Sequence, residues 1–218
     1  MTKVKFCGLM SSSDVVEATL AGADYVGFVL APSKRRVDQN NVMRWLDQAQ
    51  QQTGIKKEAV LVLVDANRDE ILHLVEQTGV RHVQLCGQES PDLCKELRAN
   101  DAITVWKAWR VRNDDRDMQF CKYAKNVDAL LLDTYKPGMA GGSGETFAWD
   151  EIDRLQSYLD ATSIVVAGGL TPDNVADLLQ HHSVDVVDVS SGIETDGCKD
   201  TYKMQRFIEE VRRVSYDS

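Results

Sequence analysis

One repeated pattern constrains this chain more than anything else. A short β-branched run is followed by a stretch with helical spacing, and the pair recurs eight times. The runs are VKFC at 4–7, YVGFVL at 25–30, AVLVLVD at 59–65, HVQLC at 82–86, ITVWKAW at 103–109, ALLLDT at 129–134, SIVVAG at 163–168 and VVDVSS at 186–191. Each is continuously apolar rather than alternating, which suits parallel strands covered by helices on both faces. Segments such as SSDVVEATLAG, NRDEILHLVEQTG, DDRDMQFCKYA and TPDNVADLLQHH carry the helical spacing between them, and KDTYKMQRFIEEVRRV closes the chain. Strict alternation means an α/β fold. Eight units in 218 residues predict one domain over 1–218, a (β/α)8 TIM barrel. A doubly wound open sheet is the alternative. It would carry a glycine fingerprint at its first turn, which here reads CGLMSS.

Charge and cysteine usage narrow the function classes. The net charge is -9, so broad electrostatic binding to nucleic acid or an anionic membrane is not expected. An anionic ligand must be held by a local site. No apolar run approaches the ~20 residues of a membrane span, and no secretion signal is visible at the start. The five cysteines contain no CxxC pair, so neither a metal site nor a disulfide framework is expected, and a reducing cytoplasm fits.

The 14 glycines sort by place. Gly22, Gly54 and Gly79 follow helical stretches, where a left-handed cap is wanted. Gly27 lies inside a strand, and the other ten follow strands. In a barrel the loops after the strands form the catalytic face. Gly168-Gly169 after the seventh run and Ser190-Ser191-Gly192 after the eighth stand where barrels often hold phosphate, through amides and hydroxyls. Residues 135–147, YKPGMAGGSGETF with Gly142, read as a lid or phosphate-cradling loop rather than a linker.

Two strand ends offer proton chemistry. Cys7 ends the first run. A lone cysteine there commonly packs as a small hydrophobe, yet at a barrel mouth beside a helix start its thiol is a candidate base or nucleophile with a lowered pKa. Asp133 ends LLLDT, so its carboxylate emerges from an apolar layer. Burial there raises a carboxyl pKa and favours a proton donor. Lys34-Arg35-Arg36 is a solvated charge run or the grip for a substrate carboxylate. Asp65 and Asp188 are weaker candidates that either meet a ligand hydroxyl or cap a turn. The histidines and tryptophans read as surface or packing residues.

The ordered set VKFCGL, ADYVGFVLAPSKRRV, VQLCG, LLLDT, GGSGETFAWD, VAGGLTPDNV and VDVSSGIET resembles the phosphoribosylanthranilate isomerase family over nearly the whole chain. The resemblance implies a cofactor-free Amadori rearrangement of a phosphorylated small molecule in tryptophan biosynthesis. Cys7 matches the family's base, Asp133 its acid and Arg36 its carboxylate grip. The turns with Gly168, Gly169, Ser190, Ser191 and Gly192 match its phosphate grip, with Gly142 and Asp188 as further substrate-binding residues. Monomer and homodimer both stay open. Two positions depart from the family pattern. Cys86 replaces a usual histidine and Glu145 a usual lysine, with Lys136 the nearest substitute. The alternatives are the related aminoaldose isomerase of histidine biosynthesis, which carries aspartate at the Cys7 position, and a silent barrel that only binds.

Overall fold

The computed structural model describes residues 1–111, 118–134, 146–159 and 161–217, with only the backbone at 118 and 215–217. Eight parallel strands close into a barrel in chain order. They are β1 (Lys3–Cys7), β2 (Tyr25–Val29), β3 (Glu58–Leu63), β4 (His82–Leu85), β5 (Thr104–Val111), β6 (Ala129–Thr134), β7 (Ser163–Val166) and β8 (Val186–Val189). Closure comes from β1 pairing with β8, with Lys5 opposite Asp188 and Phe6 opposite Val189. The open-sheet alternative is thereby excluded.

The helices are α1 (Ser12–Ala21), α2 (Gln39–Thr53), α3 (Arg68–Thr78), α4 (Pro91–Arg98), α5 (Cys121–Ala124), α6 (Asp150–Gln156), α7 (Val175–His181) and α8 (Thr201–Asp217). Their starts follow local chemistry. The side chains of Ser11, Asp38 and Ser90 accept N–H groups of α1, α2 and α4, and Asn67 with Glu70 forms a reciprocal capping box on α3. The expected glycine caps follow α1, α2 and α3 in the left-handed region. The fifth helical stretch is shorter than its sequence suggests. Its described part is a 3-10 turn at Met118–Phe120 and the single turn of α5, and 112–117 lie outside the described residues.

An element without an expectation follows β8. A 3-10 turn, Ser191–Ile193, leads into a two-stranded ribbon, β9 (Glu194–Thr195) and β10 (Cys198–Lys199). Asp196 and Gly197 at its tip have φ 51° and 82°, which is the two-residue hairpin an Asp-Gly pair favours. Gly197 therefore belongs to a hairpin tip rather than to a strand-to-helix turn.

Period-two alternation divides each strand between two cores. Val4, Phe6, Phe28 and Leu61 pack against the helices, while Val60, Trp106, Leu131, Val165 and Val186 fill the barrel interior. At the N-terminal end, Asp24, Asp128 and Asp185 stand one residue before β2, β6 and β8. Each accepts an N–H from the start of the preceding strand, from Val4, Val105 and Ile164, all at 2.8 Å. Asp24 also holds Arg212 of α8 at 2.9 Å. Asp24→Ala strips the buried Val4 N–H of its acceptor, at a cost of about 1–3 kcal/mol. Thermal melts should show Tm falling by about 2–4 °C per kcal/mol lost. An unchanged Tm would contradict this role.

Candidate active site

Cys7 is the last residue of β1 and Asp133 the penultimate residue of β6, so both stand at the C-terminal mouth. Alternation turns Lys5 and Cys7, Leu131 and Asp133, and Val186 and Asp188 toward the barrel axis. Between the two candidate proton carriers lies a buried ion pair. Lys5 Nζ donates to Asp188 Oδ1 at 3.0 Å, with side-chain exposures of 0% and 7%. Gly27, opposite Cys7 in the β1–β2 register, makes room for it. A Cβ at Gly27 would come within 3.1 Å of both Cys7 Sγ and Lys5 Nζ.

The electrostatics set the two groups apart. Burial is the largest influence on Asp133 and pushes its carboxyl up to about 6. Asp188 adds to the rise, while the Thr134 N–H at 2.8 Å, Arg110 and Lys5 pull it back. Asp133 is thus a carboxyl able to carry a proton near neutrality, as its sequence context suggests. Cys7 differs from its expectation. Burial raises its thiol above the usual range, Asp188 adds to the rise, and Lys5 and Lys199 lower it again. The reason is position. Cys7 is 8% exposed, and desolvation outweighs the two nearby lysines. Burial pushes the Cys86 thiol up to about 12, so at the family's histidine position stands a neutral group that accepts from Gln84 Nε2.

The turns after β7 and β8 come together. Gly168 (φ 83°) packs on the acid, since a Cβ there would lie 2.7 Å from Asp133 Oδ1. Among the described residues, the N–H groups of Gly168 and Gly169 donate to no backbone acceptor, which leaves them free to face an anion. Gly192 lies in the 3-10 turn with its Cα against the Leu170 carbonyl, so the two turns form one surface. Ser191 opens that 3-10 turn. The Ser190 hydroxyl donates to the Cys7 carbonyl at 3.0 Å and tethers β8 to β1. Gly142, Lys136 and Glu145 lie outside the described residues.

The basic cluster after β2 separates into two roles. Arg35 donates twice to Glu194, at 2.7 and 2.8 Å, and Lys199 joins the same carboxylate at 2.8 Å. Lys199 also donates to the Ser190 carbonyl at 2.9 Å. Burial opposes the charge on Glu194, yet these two cations hold it near 2. Arg36 is exposed, and its guanidinium has no ion-pair partner among the described residues. Its backbone is fixed by a bridge to Val29 at the end of β2. It lines a groove of about 590 Å³ with Leu30, Pro32, Asp38, Asp65 and His73. Asp65 ties the loops after β3 and β4 together, accepting the Gln88 N–H at 2.6 Å. A concavity of about 730 Å³ lies at the opposite end, around Lys3, Tyr25, His82 and Trp106, remote from Cys7 and Asp133.

A closed parallel barrel with a thiol and a carboxyl of raised pKa at its mouth, beside an anion-ready pair of turns, defines a class. It is a (β/α)8-barrel protein equipped for proton transfer on an anionic ligand. The comparisons with known proteins point to one family. The model of N-(5'-phosphoribosyl)anthranilate isomerase matches residues 4–210. The chain is 37% identical over 213 residues to that isomerase from Brevibacillus brevis, covering 97% of this chain and 94% of the relative. It superposes on a monomer generated from the dimeric phosphoribosylanthranilate isomerase of Thermotoga maritima with a TM-score of 0.79, at 31% identity, covering 98% of this chain and 100% of the other. A further member, solved in complex with reduced 1-(o-carboxyphenylamino)-1-deoxyribulose 5-phosphate, gives a TM-score of 0.80 at 30% identity, with coverage of 98% and 100%. The chain belongs to the N-(5'-phosphoribosyl)anthranilate isomerase family.

Sequence reasoning missed Lys5, Glu194 and Lys199. The signal for Lys5 was a cation inside a run that is otherwise apolar, and for the other two an Asp-Gly hairpin next to the mouth. Asp133 carries a testable consequence. Its carboxyl binds a proton more tightly in the folded protein than in the unfolded chain, so its ionisation destabilises the fold above about pH 6 and this cost vanishes toward about pH 4. Asp133→Asn keeps the oxygen that accepts the Thr134 N–H. It should raise stability by on the order of 2 kcal/mol at about pH 8 and by little at about pH 4. Denaturant melts at both pH values check this; an equal gain at both would contradict it.

Proposed function

We propose that this chain isomerises N-(5'-phosphoribosyl)anthranilate to 1-(2-carboxyphenylamino)-1-deoxyribulose 5-phosphate in tryptophan biosynthesis, with Asp133 as general acid and Cys7 as general base. The observation that carries this reading is the meeting of a raised carboxyl and a thiol at one barrel mouth, either side of the Lys5–Asp188 pair. Asp133 gives its proton to the furanose ring oxygen. The C1–O bond breaks and the anilino nitrogen lone pair forms the C1=N iminium. Cys7, as thiolate, takes the C2 proton, and the C2–H electrons form the C1=C2 bond of an enolamine while the C1=N π pair returns to nitrogen. The enol O–H is then lost as C1 gains a proton, which leaves the ketone at C2. All of these steps are proton transfers, so no redox partner is required.

The substrate is anionic at both ends. Arg36 takes the anthranilate carboxylate in bidentate fashion. Amides of Gly168, Gly169 and Gly192, with Ser190, Ser191 and Gly142, hold the phosphate. Lys5 occupies Asp188 Oδ1, so Oδ2 is the atom left to meet a sugar hydroxyl. Backbone amides and one arginine thus reconcile a doubly anionic ligand with a net charge of -9. The ion-paired state of Arg35 singles out Arg36 as the free guanidinium in the cluster. The same reading takes residues 1–218 as one domain, a cytoplasmic enzyme that is a monomer or a homodimer. No helix among the described residues is long and apolar enough to cross a membrane.

The decisive experiment follows loss of phosphoribosylanthranilate fluorescence with purified protein. Cys7→Ser and Asp133→Asn should each lower kcat by about 10²–10⁴ while the fold is retained. Arg36→Met should raise KM at least about tenfold with kcat largely kept. Near-normal turnover in Cys7→Ser would remove the assigned base. Turnover of the histidine-pathway aminoaldose in place of this substrate would overturn the function itself.

A further inference from the structure

Lys5 is fully buried in the interior of the barrel, two residues before Cys7. A desolvated ammonium persists only when it is paired. Its partner is Asp188 on the neighbouring strand at 3.0 Å. Closure of a barrel does not require such a pair, since apolar residues of similar volume serve packing at least as well. Chemistry is the better explanation of its position. Nζ of Lys5 and Sγ of Cys7 each lie 3.1 Å from the point a Cβ on Gly27 would occupy, so both groups stand over the same bare stretch of backbone. The nearby ammonium lowers the thiol pKa, opposing the effect of burial.

Other charges also face the thiol, and they differ in kind. Arg35, from the loop after β2, and Lys199, from β10, are both held by Glu194. Asp188 faces it from β8, and Cys86 at the end of β4 is a neutral thiol. Lys5 is the cation that reaches Cys7 from its own strand, with its other side fixed on Asp188.

We propose that Lys5 is a positioning residue for the isomerisation: its ammonium, anchored on Asp188, holds the Cys7 side chain toward the substrate and stabilises it as the thiolate that accepts the C2 proton. This rests on the reading of Cys7 as the base. Although burial opposes its charge, Asp188 and Cys7 hold Lys5 well above the usual lysine range, so it stays an ammonium and gives up no proton itself. When Cys7 takes the C2 proton it becomes a neutral thiol, and Lys5 keeps its bond to Asp188. The pair is therefore a fixed dipole between base and acid rather than a relay.

The test reads the thiol directly. Iodoacetamide alkylation of Cys7, followed on its peptide by mass spectrometry across pH, is measured in the full-length protein and in Lys5→Met. The variant should alkylate Cys7 at least about tenfold more slowly near neutrality, with its profile displaced to higher pH. Its kcat/KM should fall in parallel and recover as pH rises, which a merely structural role would not produce. Lys5→Met leaves Asp188 buried and unpaired, so the double variant Lys5→Met/Asp188→Asn, with neither charge, covers the case in which the single variant fails to fold. A profile of folded Lys5→Met unchanged from the parent, or a profile of the double variant unchanged from Asp188→Asn alone, would overturn the proposal. Full activity of Cys7→Ser would overturn the assignment of the base instead, so the two failures are distinguishable.

Discussion

Closure of β1 onto β8 is the constraint from which the rest of the molecule follows. It removes both sheet edges at once. Its register sets Lys5 opposite Asp188. A slip of one residue would turn Lys5 and Cys7 toward the helices and bring Val4 and Phe6 into the barrel. The ion pair is therefore both a product of the correct register and a penalty on the wrong one, because a lysine placed among Phe28 and Phe207 would have no partner. The same pair influences both proposed proton carriers. Lys5 draws the Cys7 and Asp133 pKa values down and Asp188 pushes them up.

The two ends of the barrel divide the work. At the N-terminal end carboxylates anchor strand backbones. Asp24, Asp128 and Asp185 tie alternate strands to their neighbours, and Tyr25, His82 and Trp106 pack edge to face. At the mouth, charge and desolvation are tolerated. Asp133 is held near 6, Cys7 above its usual range, and Arg35, Lys199 and Glu194 form a partly buried cluster that joins the loops after β1, β2 and β8. Stability is built at one end, and part of it is spent at the other. On the proposed reading, an acidic protein holds an anionic substrate by the same division, with backbone geometry and one free arginine as the grip.

Much of this was legible in the residues. The eight continuous apolar runs match the eight strands, because a parallel strand covered on both faces has no polar side to show. The glycine caps of α1, α2 and α3 were written in local chemistry. Cys7, Asp133 and the turn glycines were visible because strand ends in a barrel share one face. Other features depended on contacts between distant segments. Arg35 and Arg36 are neighbours of the same type, and only the approach of Glu194 from β9 separates the structural arginine from the free one. The direction of the Cys7 shift depends on desolvation, which comes from segments distant in the sequence. Lys5 was overlooked because a single cation does not break an apolar run, and its partner lies 183 residues away.

The most direct measurement is a crystal structure of this protein with the reduced reaction product bound at the mouth. The ligand should lie across the barrel with its C2 beside Cys7 Sγ and the former ring oxygen beside Asp133. Its phosphate should rest on the turns that carry Gly168, Gly169 and Gly192, and its carboxylate on Arg36. A ligand turned end for end, with phosphate on Arg36, or one seated in the N-terminal concavity, would contradict the assignment of acid, base and both anion grips together.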